Sequence, residues 1–121
     1  MKRMVGMETR ILLIQLQAHL VPTMDEAKAR AALAAFAKQP LVIGHRVTEG
    51  NENGAFANFE YKTNDLPALW HECKETIYQN SLLAFQMQRA TMAIAQGDEG
   101  WEDCLLLHHF DPATEVDEFL E

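Results

Sequence analysis

Apolar and polar residues alternate with a period of two along residues 10–21. Leu12, Ile14, Leu16, Ala18 and Leu20 fall on one side, and Gln15, Gln17 and His19 on the other, with Ile11 and Leu13 beside them. This predicts a strand, ended by Pro22, with one side in a core and the other partly wet. Thr23-Met24-Asp25-Glu26 then has the form of a capping box: the threonine hydroxyl takes the amide three residues on, and Glu26 reaches back. The Ala-rich run 27–38 predicts a helix whose buried stripe is Ala29, Ala32, Leu33 and Phe36.

Alternation resumes at 41–48, with Leu41, Ile43, His45 and Val47 on one side, and at 55–62, with Ala55, Ala57, Phe59 and Tyr61. Asn53-Gly54 between these runs is a hairpin signal. Asn64 or Asp65 caps the next helix, with Pro67 in its first turn. Leu66, Leu69, Trp70, Cys73 and Ile77 recur at three and four as one buried stripe, closed by Asn80 and Ser81. Residues 82–95 fit two patterns. A helix would have Ser81 as cap and Gly97 as stop, whereas a strand would pair with 101–110 across Gly97-Asp98-Glu99-Gly100. The strand is adopted. In 101–110, Cys104, Leu106, His108 and Phe110 oppose Leu105, Leu107 and His109.

The resulting order is strand, helix, strand, strand, helix, strand, strand. It predicts an α+β domain of ferredoxin-like split βαββαβ type with an extra C-terminal strand, its antiparallel sheet carrying two helices on one face. The other sheet face, half apolar, is a candidate surface for a homodimer. Residues 1–9 are expected to fray, 10–111 to form the single domain, and 112–121 to form an acidic tail with one loose helical turn near 116–120.

Composition is that of a globular chain: 121 residues, 48% hydrophobic and 23% charged. A net charge of −8 argues against a nucleic-acid binder. No stretch approaches the ~20 apolar residues of a membrane span. The N-terminal segment lacks the apolar run and cleavage site of a signal peptide. Two widely spaced cysteines, Cys73 and Cys104, read as reduced thiols of a cytoplasmic protein rather than a disulfide framework.

Charge is segregated. Arg89 is the last basic residue, and nine carboxylates follow it with no Lys or Arg; residues 1–89 hold ten basic and nine acidic groups. The bland interpretation is solubility. The sharper one is an electronegative surface that steers a basic protein partner, with Asp98, Glu99, Trp101, Glu102, Asp103 and Asp111 as the contact residues.

Motifs of nucleotide, triad and zinc-protease chemistry do not occur, and no cofactor is expected. His71, Cys73, Cys104, His108 and His109 are the one metal-like set. Adjacent residues on a helix or strand diverge, which sets aside His71 and His109; Cys73, Cys104 and His108 are read as core thiols and an edge histidine, because ordinary buried cysteine is common. No catalytic residue is assigned. The function expected is therefore a non-enzymatic acidic binding module, such as an inhibitor or immunity-type partner of a basic toxin or nuclease. The alternative is a small dimeric enzyme or ligand-binding protein, with a pocket on the open sheet face near Gln15, Gln17, His19 and His45.

Overall fold

The computed structural model describes residues 9–79 and 81–119. Of residues 1–9, expected to fray, the first eight lie outside the described residues, as do Asn80 and the end of the tail at 120–121; Thr9 donates its hydroxyl to the Asn64 Oδ1 at 3.0 Å. Five strands form one antiparallel sheet: β1 (Arg10–Leu16), β2 (Gly44–Asn51), β3 (Ala55–Thr63), β4 (Thr91–Gly97) and β5 (Gly100–His108), in the order β2-β3-β1-β4-β5. Three helices, α1 (Glu26–Phe36), α2 (Leu66–Thr76) and α3 (Leu82–Ala90), lie in the intervals, with a short 3-10 turn at Ala18–Leu20.

Register fixes which side chains share a face. Leu12 stands opposite Tyr61 and Ala95, and Ile14 opposite Phe59 and Ala93, so these residues project to one side. That side is covered by Ala29, Leu33 and Phe36 of α1, Leu66, Leu69, Trp70 and Cys73 of α2, and Met87 and Ala90 of α3. Small residues on β4 (Ala93, Ala95) let the helices approach. Tyr61 places its ring edge-on to Phe36, 5.1 Å between centroids, and its hydroxyl donates to the Leu33 carbonyl at 2.7 Å. The phenol is thus satisfied inside the core, and burial raises its pKa well above the ordinary tyrosine range.

The segment 82–95 is where the expectation fails: it is not one strand. Its first nine residues are α3, capped by Ser81, whose hydroxyl accepts from the Ala84 amide at 2.9 Å. The helix turns directly into β4 at Thr91. The Thr91 hydroxyl donates back to the Met87 carbonyl and bonds the Tyr78 hydroxyl, both at 2.7 Å. A buried side chain thus ends the helix where no glycine or proline does. The covered face therefore carries three helices, not two.

Smaller corrections follow the same logic. β1 stops at Leu16; Gln17 donates its amide to Ala90 and leads into the 3-10 turn, so Ala18 and Leu20 leave the strand. The N-cap of α1 is Asp25, not Thr23: its carboxylate accepts from the Lys28 amide at 3.2 Å. Asp65 caps α2 in the same way through Ala68, with Pro67 in the first turn. β2 begins at Gly44 rather than Leu41, and as an edge strand it leaves His45 and Val47 exposed.

β5 departs most from simple alternation. Ile94 pairs with Leu106, yet Ala93 pairs with His108, so one extra residue is accommodated. His108 consequently lands on the covered side and parts from Cys104. Beyond β5 the chain reverses through Asp111, which accepts from the Ala113 amide, and runs back along the sheet edge. There Asp117 and Leu106 exchange two bonds, of 2.7 Å to the Leu106 carbonyl and 2.8 Å from its amide. Through residue 119 this tail holds no helical turn, and Phe119 packs on the core. Among the described residues no helix is long and apolar enough to cross a membrane.

Candidate binding cleft

α3 buries Ala84, Met87 and Ala90, three residues apart, and so turns Leu82, Phe85 and Arg89 outward. The Arg89 guanidinium lies over the Phe85 ring, 5.6 Å from its centroid. Facing them are Leu20 and Val21, carried there by the turn after β1, and the end of β5. The returning tail adds Thr114 and Val116 as the outer wall. Together they enclose an open cleft of about 750 Å³. Its rim is apolar and wet: Phe85 is 56% exposed, Val116 46% and Leu20 39%.

Two histidines meet this cleft in different states. His108 stacks against Tyr78, 4.6 Å between centroids, and its Nε2 donates to the Gln88 carbonyl at 2.8 Å. Burial lowers its pKa, against a smaller opposite pull from that carbonyl, and neighbouring His109 lowers it further. His108 is a structural clamp between β5 and α3. His109 accepts the Asp111 amide at Nδ1, 3.0 Å, so its neutral ring carries the proton on Nε2. Arg89 and Asp111 thus supply both signs of charge, and His109 a ring N–H, around an apolar floor. Such a site can seat an apolar side chain and orient a charged one.

The residues proposed from sequence divide. Asp98 pairs with Arg10 at 2.6 Å. Asp103 accepts the Glu99 amide at 2.8 Å and closes the β4–β5 turn. Gly97 is required there, because a Cβ would lie 2.4 Å from the Asp103 carbonyl oxygen. Trp101, 42% exposed, and Glu102 stand at the same end. Asp111 lies beyond the other end of β5, eight residues from Asp103, or roughly 27 Å along an extended chain. The six therefore make two sites, a turn and a cleft wall.

Gln15, Gln17, His19 and His45 do not converge. Gln15 accepts from Gln17 at 2.7 Å and donates to Asn58 at 3.0 Å, an amide cluster on the open face. The His19 ring instead lies where a Cβ on Gly54 would be, at the hairpin tip. His45 pairs in register with Tyr61, which puts it on the opposite face, two strands away from Gln15. Cys73 is fully buried and burial pushes its thiol pKa far up, while Cys104 is exposed, so the two do not share a site. Among the described residues no three His, Cys, Asp or Glu side chains are grouped to hold a metal ion.

Leu20, Phe85, Arg89, His109 and Val116 escaped the sequence reading, since they come from four separated segments. One signal was available. Taken as a helix, residues 82–90 put Leu82 and Phe85, beside Arg89, on the face opposite Ala84, Met87 and Ala90, two large apolar side chains without a core to enter. No family model, curated protein or solved structure matches this chain.

Proposed function

We propose that this chain is a non-enzymatic, cytoplasmic protein-binding module that seats a basic, partly apolar segment of a partner protein in the cleft beside α3. An inhibitor or immunity-type role against a basic toxin or nuclease is the form this would take. The observation that carries the reading is the cleft itself. Three exposed apolar side chains from three elements surround it, and its outer wall includes Asp111, with Glu115 between the wall residues Thr114 and Val116. Apolar anchors give such an interface its affinity, and the surrounding charge gives encounter rate and selectivity. The scaffold is read as a ferredoxin-like split βαββαβ with one added edge strand. The order β2-β3-β1-β4, with α1 between β1 and β2 and the other two helices between β3 and β4, supports that reading.

The test is affinity capture from lysate of the native source, followed by binding kinetics with the purified partner. Wild-type chain captures a basic protein. Phe85→Asp, folded by circular dichroism, weakens it more than about tenfold, a loss of over about 1.4 kcal/mol. Glu115→Lys slows association at low salt and little at high salt. Capture that is indifferent to Phe85→Asp overturns the proposal.

A further inference from the structure

The sheet has a second face that, among the described residues, no helix covers. Ile11 and Leu13 on β1, Phe56 on β3, Met92 and Ile94 on β4 and Leu106 on β5 all project to it, each half-buried. Five strands about 4.8 Å apart and about seven residues long give a face of roughly 24 by 23 Å, or about 550 Å² in projection. Studded with side chains, such a face is of the order of the ~800 Å² per partner that a stable interface buries.

Charge on and beside this face is one-sided. Arg46, Glu60 and Lys62 project from β2 and β3; Arg46 pairs with Glu60 at 2.9 Å, leaving Lys62 as one net positive charge. β4, β5 and their turn carry Asp98, Glu99, Glu102 and Asp103 and no Lys or Arg; Arg10 at the start of β1 pairs with Asp98, which leaves Glu99, Glu102 and Asp103 as the net acidic groups. Lys62 stands in the same row as Ile11, and so at the end of the sheet where that turn lies. The acidic tail is elsewhere, along the outer edge and beside Trp70 and Lys74 of α2.

We propose that the open face is an interface between two copies of this chain, related by a two-fold axis running along β1. β1 is the middle strand, so this axis lays β3 of one copy over β4 of the other and β2 over β5. The Lys62 end of one copy then meets the acidic turn of the other. An axis across the strands would lay β2 on β2 with the strands reversed, setting the Lys62 end against the Phe56 end and leaving Lys62 far from either acidic turn. The charge pattern selects the first arrangement, and apolar rows from both faces fill the middle.

Analytical ultracentrifugation over a dilution series tests this. Wild-type chain sediments at twice its 13.7 kDa. Leu13→Asp raises the dimer dissociation constant at least about tenfold. If that variant does not fold, Leu13→Gln, which repeats the chemistry of Gln15, carries the same test. Lys62→Glu weakens the dimer, as does Glu99→Lys with Glu102→Lys, and combining all three in one chain restores it. A wild-type monomer throughout the series overturns the proposal and leaves the face to a different partner. A dimer that survives Leu13→Asp or Leu13→Gln overturns it too. Charge reversals that act without mutual rescue overturn the axis.

Discussion

The two faces of this sheet come from the same strands and end in opposite circumstances. Leu12 and Leu13 are neighbours on β1; Leu12 is 0% exposed beneath the helices, and Leu13 faces outward with only cross-strand company. On the covered face every strand meets α1, α2 or α3, and buried polar groups are answered one by one, as Tyr61 is by Leu33 and Thr91 by Tyr78. The open face has comparable apolar content on β1 and β4, interrupted by an amide cluster and one ion pair. Apolar alternation sets how many faces need cover, and the helices set how many are covered. Here the count differs by one.

The largest effects should separate the faces. Leu12→Ala is expected to cost about 2–5 kcal/mol, through lost burial and the cavity left behind. Leu13→Ala, in chain dilute enough to be monomeric, is expected to cost about 1 kcal/mol or less. Urea unfolding at matched low concentration reads both, and equal losses would break the face assignment. Next in size is Thr91→Val, which removes the bond that ends α3 and leaves the Tyr78 hydroxyl unanswered. It should cost about 1–3 kcal/mol, since the orphaned phenol keeps its desolvation penalty. A neutral outcome would mean that the helix-to-strand switch at Ala90–Thr91 is set elsewhere.

The smallest expected effect is a pH dependence. His108 is folded with its pKa below the ordinary 6.5, so the unfolded chain binds the proton more readily. Its contribution to stability is fully present above pH 6.5 and is lost as pH falls from there through the lower folded value. Stability measured between pH 7.5 and pH 5 should therefore decline, and His108→Gln should flatten the decline. A slope unchanged in His108→Gln would assign it to other groups.

Much of the covered face was legible in the sequence, because period-two strands and period-3.6 stripes record burial directly. Leu33, Phe36, Leu69, Trp70 and Cys73 stand where the spacing predicts. What was not legible has a common cause: the deciding contact lies far along the chain or inside the core. α3 and β4 join without Gly or Pro, so the run from Leu82 to Gln96 offers no punctuation. Its boundary is the bond from Thr91 to Met87. The extra residue in β5 that turns His108 inward leaves no trace in the alternation of Cys104 to Phe110. The cleft is hidden for the same reason. Its walls become neighbours only after Asp117 and Leu106 pin the tail back on the sheet.

The central claim is that the open face is covered by a second copy, so folding and association are linked. Thermal unfolding of wild-type chain and of Leu13→Asp across a hundredfold range of concentration tests this most directly. A dimer stabilises the folded state by mass action, which makes the wild-type Tm rise with concentration while that of Leu13→Asp stays fixed. A wild-type Tm independent of concentration over that range would contradict the account.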